Sequence, residues 1–540
     1  MNCMKEHGCV YFWKMKFSFF LLLSSISLGL FAQVKQEYVD YYDQDQKRKR
    51  KEGTYVDGIE DGIWKFYYPN GQLKEESVYQ TGRLNGSVLT YHENGKPFNL
   101  GFFKLNFQDS LFKAWYENGN LGVEGYFDWG RRDSLWSYFY TDAKPWKKVN
   151  YSDSLPSYRD AWDKDGKQIL KNGEGYLVNY NESLKPKEII QISKGAYNGF
   201  YLKLNPEGDT LIKGSYANRL KEGAWLEYYE NNQVRKLQTF KQGKRYGEYV
   251  ELYISGDTSA IGSYIDDKKQ GYFQFFSESG KAYMHGWFKA GQQDSSWHYY
   301  YKDGQLKNKG NYKLGKRNGL WEYWYESKNP WKQGYYLDGL KDSKWEFWHD
   351  QKPKTLLMTG SFLEGKEDGE WATWYKNKQM KDKGSYAQGV MNGLWEAWCD
   401  NGQKSYSGSL KEGLKEGAWE FWFKNGQLRE KGSYQEGEKD GEWIFYFPDG
   451  KTDYSGGYKE GKKNGLWKYY FNFGALQREE TYLEGKLHGK SKLLYPAGRP
   501  MLESNYFQGR QHGKWKFYTK EGSLQKTYTF KYGVKIKESE

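Results

Sequence analysis

Side chains able to do acid–base, nucleophilic or metal chemistry are sparse in this chain, and their spacing serves none of it. The 540 residues include seven histidines and three cysteines. His488 and His512 occupy one position of a repeated pattern and His92 and His349 another, so they read as turn and strand residues rather than ligands. Asp and Glu gather in turns, as at Glu436 and Asp440, where short polar side chains suit the backbone. No nucleophile stands with a base at motif spacing, and no glycine-rich stretch leads from a strand into a helix to cradle phosphate. No catalytic residue, metal or cofactor is expected. Binding chemistry is concentrated in rings instead: Trp324, Trp348, Trp374, Trp398 and Trp422 recur in one row. Tryptophan is enriched among the residues that dominate binding energy, which makes the row a candidate binding stripe.

A repeat must position these rings. Trp297, Trp321 and Trp345 are 24 residues apart, as are Trp371, Trp395, Trp419, Trp443 and Trp467. The same step joins Trp64 to Val88, Phe112 and Trp136, then Tyr201 to Trp225, Tyr249 and Phe273, and Trp467 to Ser491 and Trp515. With Leu177 as a degenerate member there are 19 anchors. A fixed period of this length predicts a stacked array whose units contact mainly their neighbours, an architecture that displays a surface more often than it catalyses.

Trp419 to Trp443 serves as the type unit. Trp419 to Phe423 alternates as a short strand, and Asn425-Gly426 is a strong signal for a two-residue type I′ hairpin turn. The chain then returns through Gln427 to Tyr434. The predicted class is all-β: an elongated array of hairpins, an antiparallel meander with two strands per repeat. The turn sets Trp419 opposite Gly432 and Gly417 opposite Tyr434. A four-residue loop from Glu436 to Lys439 would further set Tyr434 opposite Gly441 and Gly432 opposite Trp443. Each ring would then be flanked by glycine on both sides, covering backbone that glycine leaves bare. Lys439 is expected to be exposed. At about 4.8 Å per strand, the 19 repeats would span on the order of 180 Å if straight. The row from Trp324 to Trp422 falls on the opposite face, as the inner face of a curled sheet or as a binding stripe, with the structural role expected.

The first 32 residues differ in kind. Met15-Lys16, the apolar run Phe17 to Leu30 and Ala32 have the plan of a cleaved export signal, with Met15 as an alternative start. A lead-in with a partial repeat is expected over 33–52, repeats over 53–142, an irregular or degenerate repeat over 143–176, repeats over 177–533 and a tail at 534–540. The net charge of +13 is spread through the turns. The basic run Lys47 to Lys51 falls on the strand of the partial repeat, so nucleic acid is an unlikely partner. Cys399 is the one cysteine beyond the export signal, so no internal disulfide is expected.

Gly432, Tyr434, Gly437, Gly441 and Trp443, repeated as Gly384, Tyr386, Gly389, Gly393 and Trp395, resemble MORN repeats. They most resemble the variant collected under the YwqK-type antitoxin name, over about Glu52 to Gly533. The resemblance implies an elongated sheet of hairpins serving scaffolding, protein binding or lipid contact, and the antitoxin label implies a toxin as partner. The expected function is a non-catalytic, exported interaction scaffold that binds a protein, in the periplasm, at the cell surface or secreted. The alternative is a module for envelope glycan or lipid, since cell-wall-binding repeats also combine glycine, paired rings and short hairpins.

Overall fold

A computed structural model describes residues 33–153 and 155–539. The export signal assigned to residues 1–32 lies outside the described residues. Every regular element among those described is a β-strand, 44 in all, and within each of two compact units neighbouring strands pair antiparallel. The chain divides into two compact units, one running to Val178 and including Gln191–Ala196, the other formed by Asn179–Ile190 and Tyr197 onward.

In the first unit the basic run enters the strand Lys49–Val56, where Arg50 pairs with Asp40, and just before it Arg48 pairs with Asp43. Beyond Trp136 the ring-and-glycine pattern gives way to aliphatic packing. Val149, Ala161, Leu170, Leu177 and Ile192 are all buried. The strand Gln168–Lys171 is short, and the Gly173 and Gly195 backbones bond across it, Gly195 N–H donating to the Gly173 carbonyl at 3.1 Å. In the second unit, residues 534–539 form the strand Val534–Ser539 against Leu524–Lys531.

The type unit has three strands, Leu414–Trp422, Leu428–Gln435 and Glu438–Tyr446. Trp419 pairs with Gly432 and Gly417 with Tyr434. The turn between them is not type I′. The Phe423 N–H bonds the Gln427 carbonyl at 2.8 Å, and only Gly426 has positive φ, 86°. This is a three-residue loop, a type I turn closed by a left-handed glycine. One extra residue, Arg429, then restores the offset that a two-residue loop would give, so that Phe421 pairs with Glu430.

The second connection corrects the expected four-residue loop. Glu436 and Gly437 form the two-residue turn, with φ of 49° and 84°, so Tyr434 pairs with Lys439 rather than Gly441. Gly441 pairs instead with Tyr458 on the other side. Two extra residues, Gly441 and Glu442, bulge out between the Ser433–Asp440 and Lys431–Ile444 pairs. Gly441 bends the strand at φ 73°, with open space where a side chain would stand. Ser295 and Ser343 fill this slot elsewhere at φ 55°, each hydroxyl bonded to the preceding aspartate, Asp294 or Asp342.

Both edges tie one repeat to the next. At one edge the Asn425 amide donates to the Pro448 carbonyl at 3.0 Å, while its oxygen accepts the Gln427 N–H at 3.0 Å. At the other, Glu416 accepts the Glu436 N–H and the Lys415 carbonyl accepts the Gly437 N–H, each at 3.0 Å. The Asn-Gly pair therefore serves a clamp between repeats.

Candidate functional site

The two faces of the sheet carry different chemistry. One is a ring face. The Trp443 indole is fully buried and lies over Gly432, where even one added methyl group would overlap it. Beside the bulge the Trp443 Nε1–H donates to the Ser433 carbonyl at 3.0 Å. The same bond joins Trp419 to Ser409, Trp395 to Ser385 and Trp321 to Asn311. Tyr434 stands edge-on between two indoles, 5.1 Å from Trp443 and 6.0 Å from Trp419.

Trp419 is flanked in register by Gly408 and Gly432 as expected, but its ring covers only one of them, and Tyr434 has glycine on one side alone. Gly432 lies under Trp443 and Gly408 under Trp419. Gly417, opposite Tyr434, and Gly441 touch no ring. Where the anchor is not tryptophan the slot is often filled: Ser77 pairs with Val88, Gln238 with Tyr249 and Glu480 with Ser491. Ser504, eleven residues before Trp515, departs from that rule.

Lys439 is not the exposed residue expected. Its ammonium sits 3.7 Å from the Trp443 ring centroid and 2.9 Å from Glu430 Oε2. Lys415 takes the same place 4.7 Å from Trp419, and Arg317 4.6 Å from Trp321. Burial holds the Lys415 ammonium below the ordinary lysine pKa and the Tyr434 hydroxyl above the tyrosine range. The signal was available in the chain as a basic residue four positions before many anchors, an indole face attracting the cation.

The opposite face holds the predicted stripe, half-covered rather than open. Trp348 is 6% exposed beneath Lys354, whose ammonium stands 3.6 Å from the ring centroid. Trp324, Trp374, Trp398 and Trp422 are half-buried. Lysines stand over three of them, Lys309 on Trp324, Lys383 on Trp398 and Lys404 on Trp422. The carbonyls of Trp324, Trp348 and Trp398 accept the hydroxyls of Tyr301, Tyr325 and Tyr375, and His349 donates to that of Trp374. The row belongs to the ladder between repeats, and His92 plays the same part on Trp115. The two-residue insertion after Trp345 lengthens the loop beside it, where the His349 N–H bonds the Thr355 carbonyl at 2.9 Å.

The exposed rings of this face stand ten residues before an anchor, a position the sequence reading passed over. Trp287 and Tyr335 are each 49% exposed. Trp287 pairs with exposed Tyr272, at 5.4 Å between ring centroids, and Tyr335 with exposed Leu320. Beside Tyr272, His285 bonds both the Tyr272 and Tyr300 hydroxyls, at 2.7 and 2.9 Å, and stacks on His298 at 4.8 Å. Burial, then the neighbouring His298, lowers the His285 pKa. Further along the same face a hollow of about 690 Å³ carries Lys490, Lys492, Lys514 and Lys516 beside Glu479 and Glu503. Among the described residues no group of His, Cys, Asp and Glu is placed to hold a metal ion, and Cys399 is a half-buried free thiol.

Eight segments match the family model of the MORN repeat variant: residues 60–81, 84–105, 221–242, 296–314, 415–436, 439–460, 463–484 and 511–532. No curated protein matches the chain. Solved structures similar to it include the TcdB2-TccC3-Cdc42 complex, at 9% identity over 90% of this chain and 27% of the other, with a TM-score of 0.14. The Tc holotoxin pore of Photorhabdus luminescens is similar at 11% identity over 91% of this chain and 34% of the other, with a TM-score of 0.12. The chain thus spans about a third or less of the length of those structures. Scores this low carry no argument about fold or activity.

Proposed function

We propose that the chain is a non-catalytic, exported repeat scaffold that binds a protein partner through the face opposite its ring lattice. One observation carries this reading: the frame is nearly constant and the display is not. Glycine under tryptophan, the bulge carbonyl and the edge clamps recur from repeat to repeat. The slot ten residues before the anchor holds Ser433, Ser409 and Ser385 in some repeats and Tyr335, Trp287 and Tyr126 in others. Side chains that can change without disturbing the frame are where a partner is recognised, and exposed aromatic groups are strong anchors for one. The plan of residues 1–32 supports export, and the MORN-variant matches support a scaffold. A toxin remains one candidate partner, on the antitoxin-type resemblance alone.

Trp287→Ser combined with Tyr335→Ser is expected to abolish capture of the partner from envelope extracts while the melting temperature stays within about 1 °C, as for surface changes worth under about 0.5 kcal/mol. Undiminished capture would refute this face as the binding surface. A second reading, contact with anionic lipid, is favoured by the four lysines of the hollow at Lys490 to Lys516. Flotation with anionic and neutral vesicles tests it, binding to the anionic ones alone being the supporting result.

A further inference from the structure

Most repeats along the ring face cover their own tryptophan. A lysine or arginine four residues before the anchor lies over the indole, at 4.6 Å for Arg317, 5.1 Å for Lys341, 4.7 Å for Lys415, 3.7 Å for Lys439 and 4.1 Å for Lys463. A ring two residues after the anchor, such as Phe347, Phe421 or Phe445, adds a second cover at 5.6–6.0 Å. Two consecutive repeats lack both. Before Trp371 and Trp395 the cation is replaced by Glu367 and Met391, and after them the ring is replaced by Thr373 and Ala397. An open cavity of about 600 Å³ results, walled by Trp371, Tyr386, Trp395 and Tyr406.

A carboxylate stands in that cavity. Asp382 pairs with Thr373 on one side and Ala397 on the other. Its counterpart Glu430 lies between Phe421 and Phe445, with the Lys439 ammonium 2.9 Å from its Oε2 and seated on Trp443. The Trp395 repeat therefore keeps the acid and the indole but carries no cation of its own, and the lysine that lines the cavity, Lys415, is seated on Trp419 and Phe421 of the next repeat. Thr373 lines the same cavity, and its Oγ1 is buried without a hydrogen-bond partner. Glu367 adds a second negative charge that, with Asp382 and after burial, raises the Tyr386 pKa.

We propose that this cavity, which opens on the ring face, receives the cationic side chain, arginine or lysine, of a protein other than the one met by the opposite face, held against Trp395 and paired with Asp382. The chain's own lysines show the mode of binding on neighbouring repeats. An indole face attracts a cation through its quadrupole, and a carboxylate within hydrogen-bond reach makes the contact directional. A guanidinium suits it best, being planar, weakly hydrated and able to stack while pairing with a carboxylate. The proposal rests on the scaffold reading only for the source of the cation.

Saturation-transfer NMR on the full chain with N-acetyl-arginine methylamide tests it, with the uncharged citrulline analogue as control. The arginine probe is expected to bind about tenfold or more tightly than the citrulline analogue, and Asp382→Asn to weaken it by a similar factor. Met391→Lys supplies the residue that neighbouring repeats carry, so it should fold, melt no lower than wild type and lose the probe. Equal binding of the two probes, or undiminished binding in Met391→Lys, would overturn the site. Tetramethylammonium binding more tightly than the arginine probe would overturn the assignment to a protein side chain. The scaffold reading is judged apart from this, since Trp287→Ser with Tyr335→Ser leaves the cavity intact.

Discussion

Gly432→Val is expected to destabilise the array locally around Trp443 and to leave Trp419 in place. The added side chain would occupy the space of the Trp443 indole, which is fully buried. Displacing the ring breaks its bond to the Ser433 carbonyl, the edge contact with Tyr434 and the seat of Lys439. Overpacking alone costs about 1–3 kcal/mol, and full expulsion of the ring approaches the roughly 3–5 kcal/mol of a buried Trp→Ala change. Gln435→Val, at an exposed strand end, should stay within about 0.5 kcal/mol. Hydrogen exchange should rise on Leu428–Gln435 and Glu438–Tyr446 and not on Leu414–Trp422. In a Trp443→Val background the Gly432→Val change should become nearly neutral, as the natural Val88–Ser77 pair indicates. Additive effects in that cycle would show that ring and glycine are not coupled.

Alkaline pH is the second strong lever. Burial holds the hydroxyls of Tyr434, Tyr454 and Tyr482 above the ordinary tyrosine range and pushes Tyr458 up to about 12. Below pH 10 these phenols are protonated whether the chain is folded or not, so their contribution is fully present. Between pH 10 and 12 the unfolded chain loses protons that the folded chain keeps, and stability falls. The covering lysines act oppositely. Burial lowers the pKa of Lys221, Lys269 and Lys415, so the folded chain sheds those protons before the unfolded one does, and stability rises slightly on the approach to pH 10. Melting temperature is therefore expected to be flat or rising to about pH 10 and to drop steeply above it, with the absorbance of the buried tyrosinates appearing only together with unfolding. Complete ionisation of the tyrosines near pH 10 in an intact fold would show that the rings are not buried as described.

Much of the frame was legible because the period is strict. Trp419 opposite Gly432 was read correctly although the turn was not, since a three-residue loop plus the extra Arg429 adds up to the offset of a two-residue loop. Asn-Gly indicated a type I′ turn, but Asn425 is selected by its amide bond to the next repeat, which no local turn rule contains. The type I′ turn sits at Glu436-Gly437, where glutamate at positive φ gives a weak signal. Gly441 was read as a partner for a ring, whereas its backbone angle marks a bulge, beside which the anchor's indole N–H bonds the Ser433 carbonyl. Lys439 was read as solvated because turns usually are. Its place on Trp443 depends on a register two residues away from the expected one. The stripe from Trp324 to Trp422 was visible as a row, but whether lysines cover a row is a matter of side-chain packing. The gap at Thr373 and Ala397 was present in the chain as two small residues where neighbours carry rings, and only the assembled face shows that the missing cation and the retained Asp382 coincide there.

The central claim is that the face opposite the ring lattice meets a protein. Photo-crosslinking tests it most directly, with p-benzoylphenylalanine placed at Tyr335 on the display face and at exposed Phe473 in a turn as control. The predicted result is a single discrete protein adduct from position 335 in the envelope fraction, and none from position 473. No adduct from 335, or the same adducts from both positions, would contradict it.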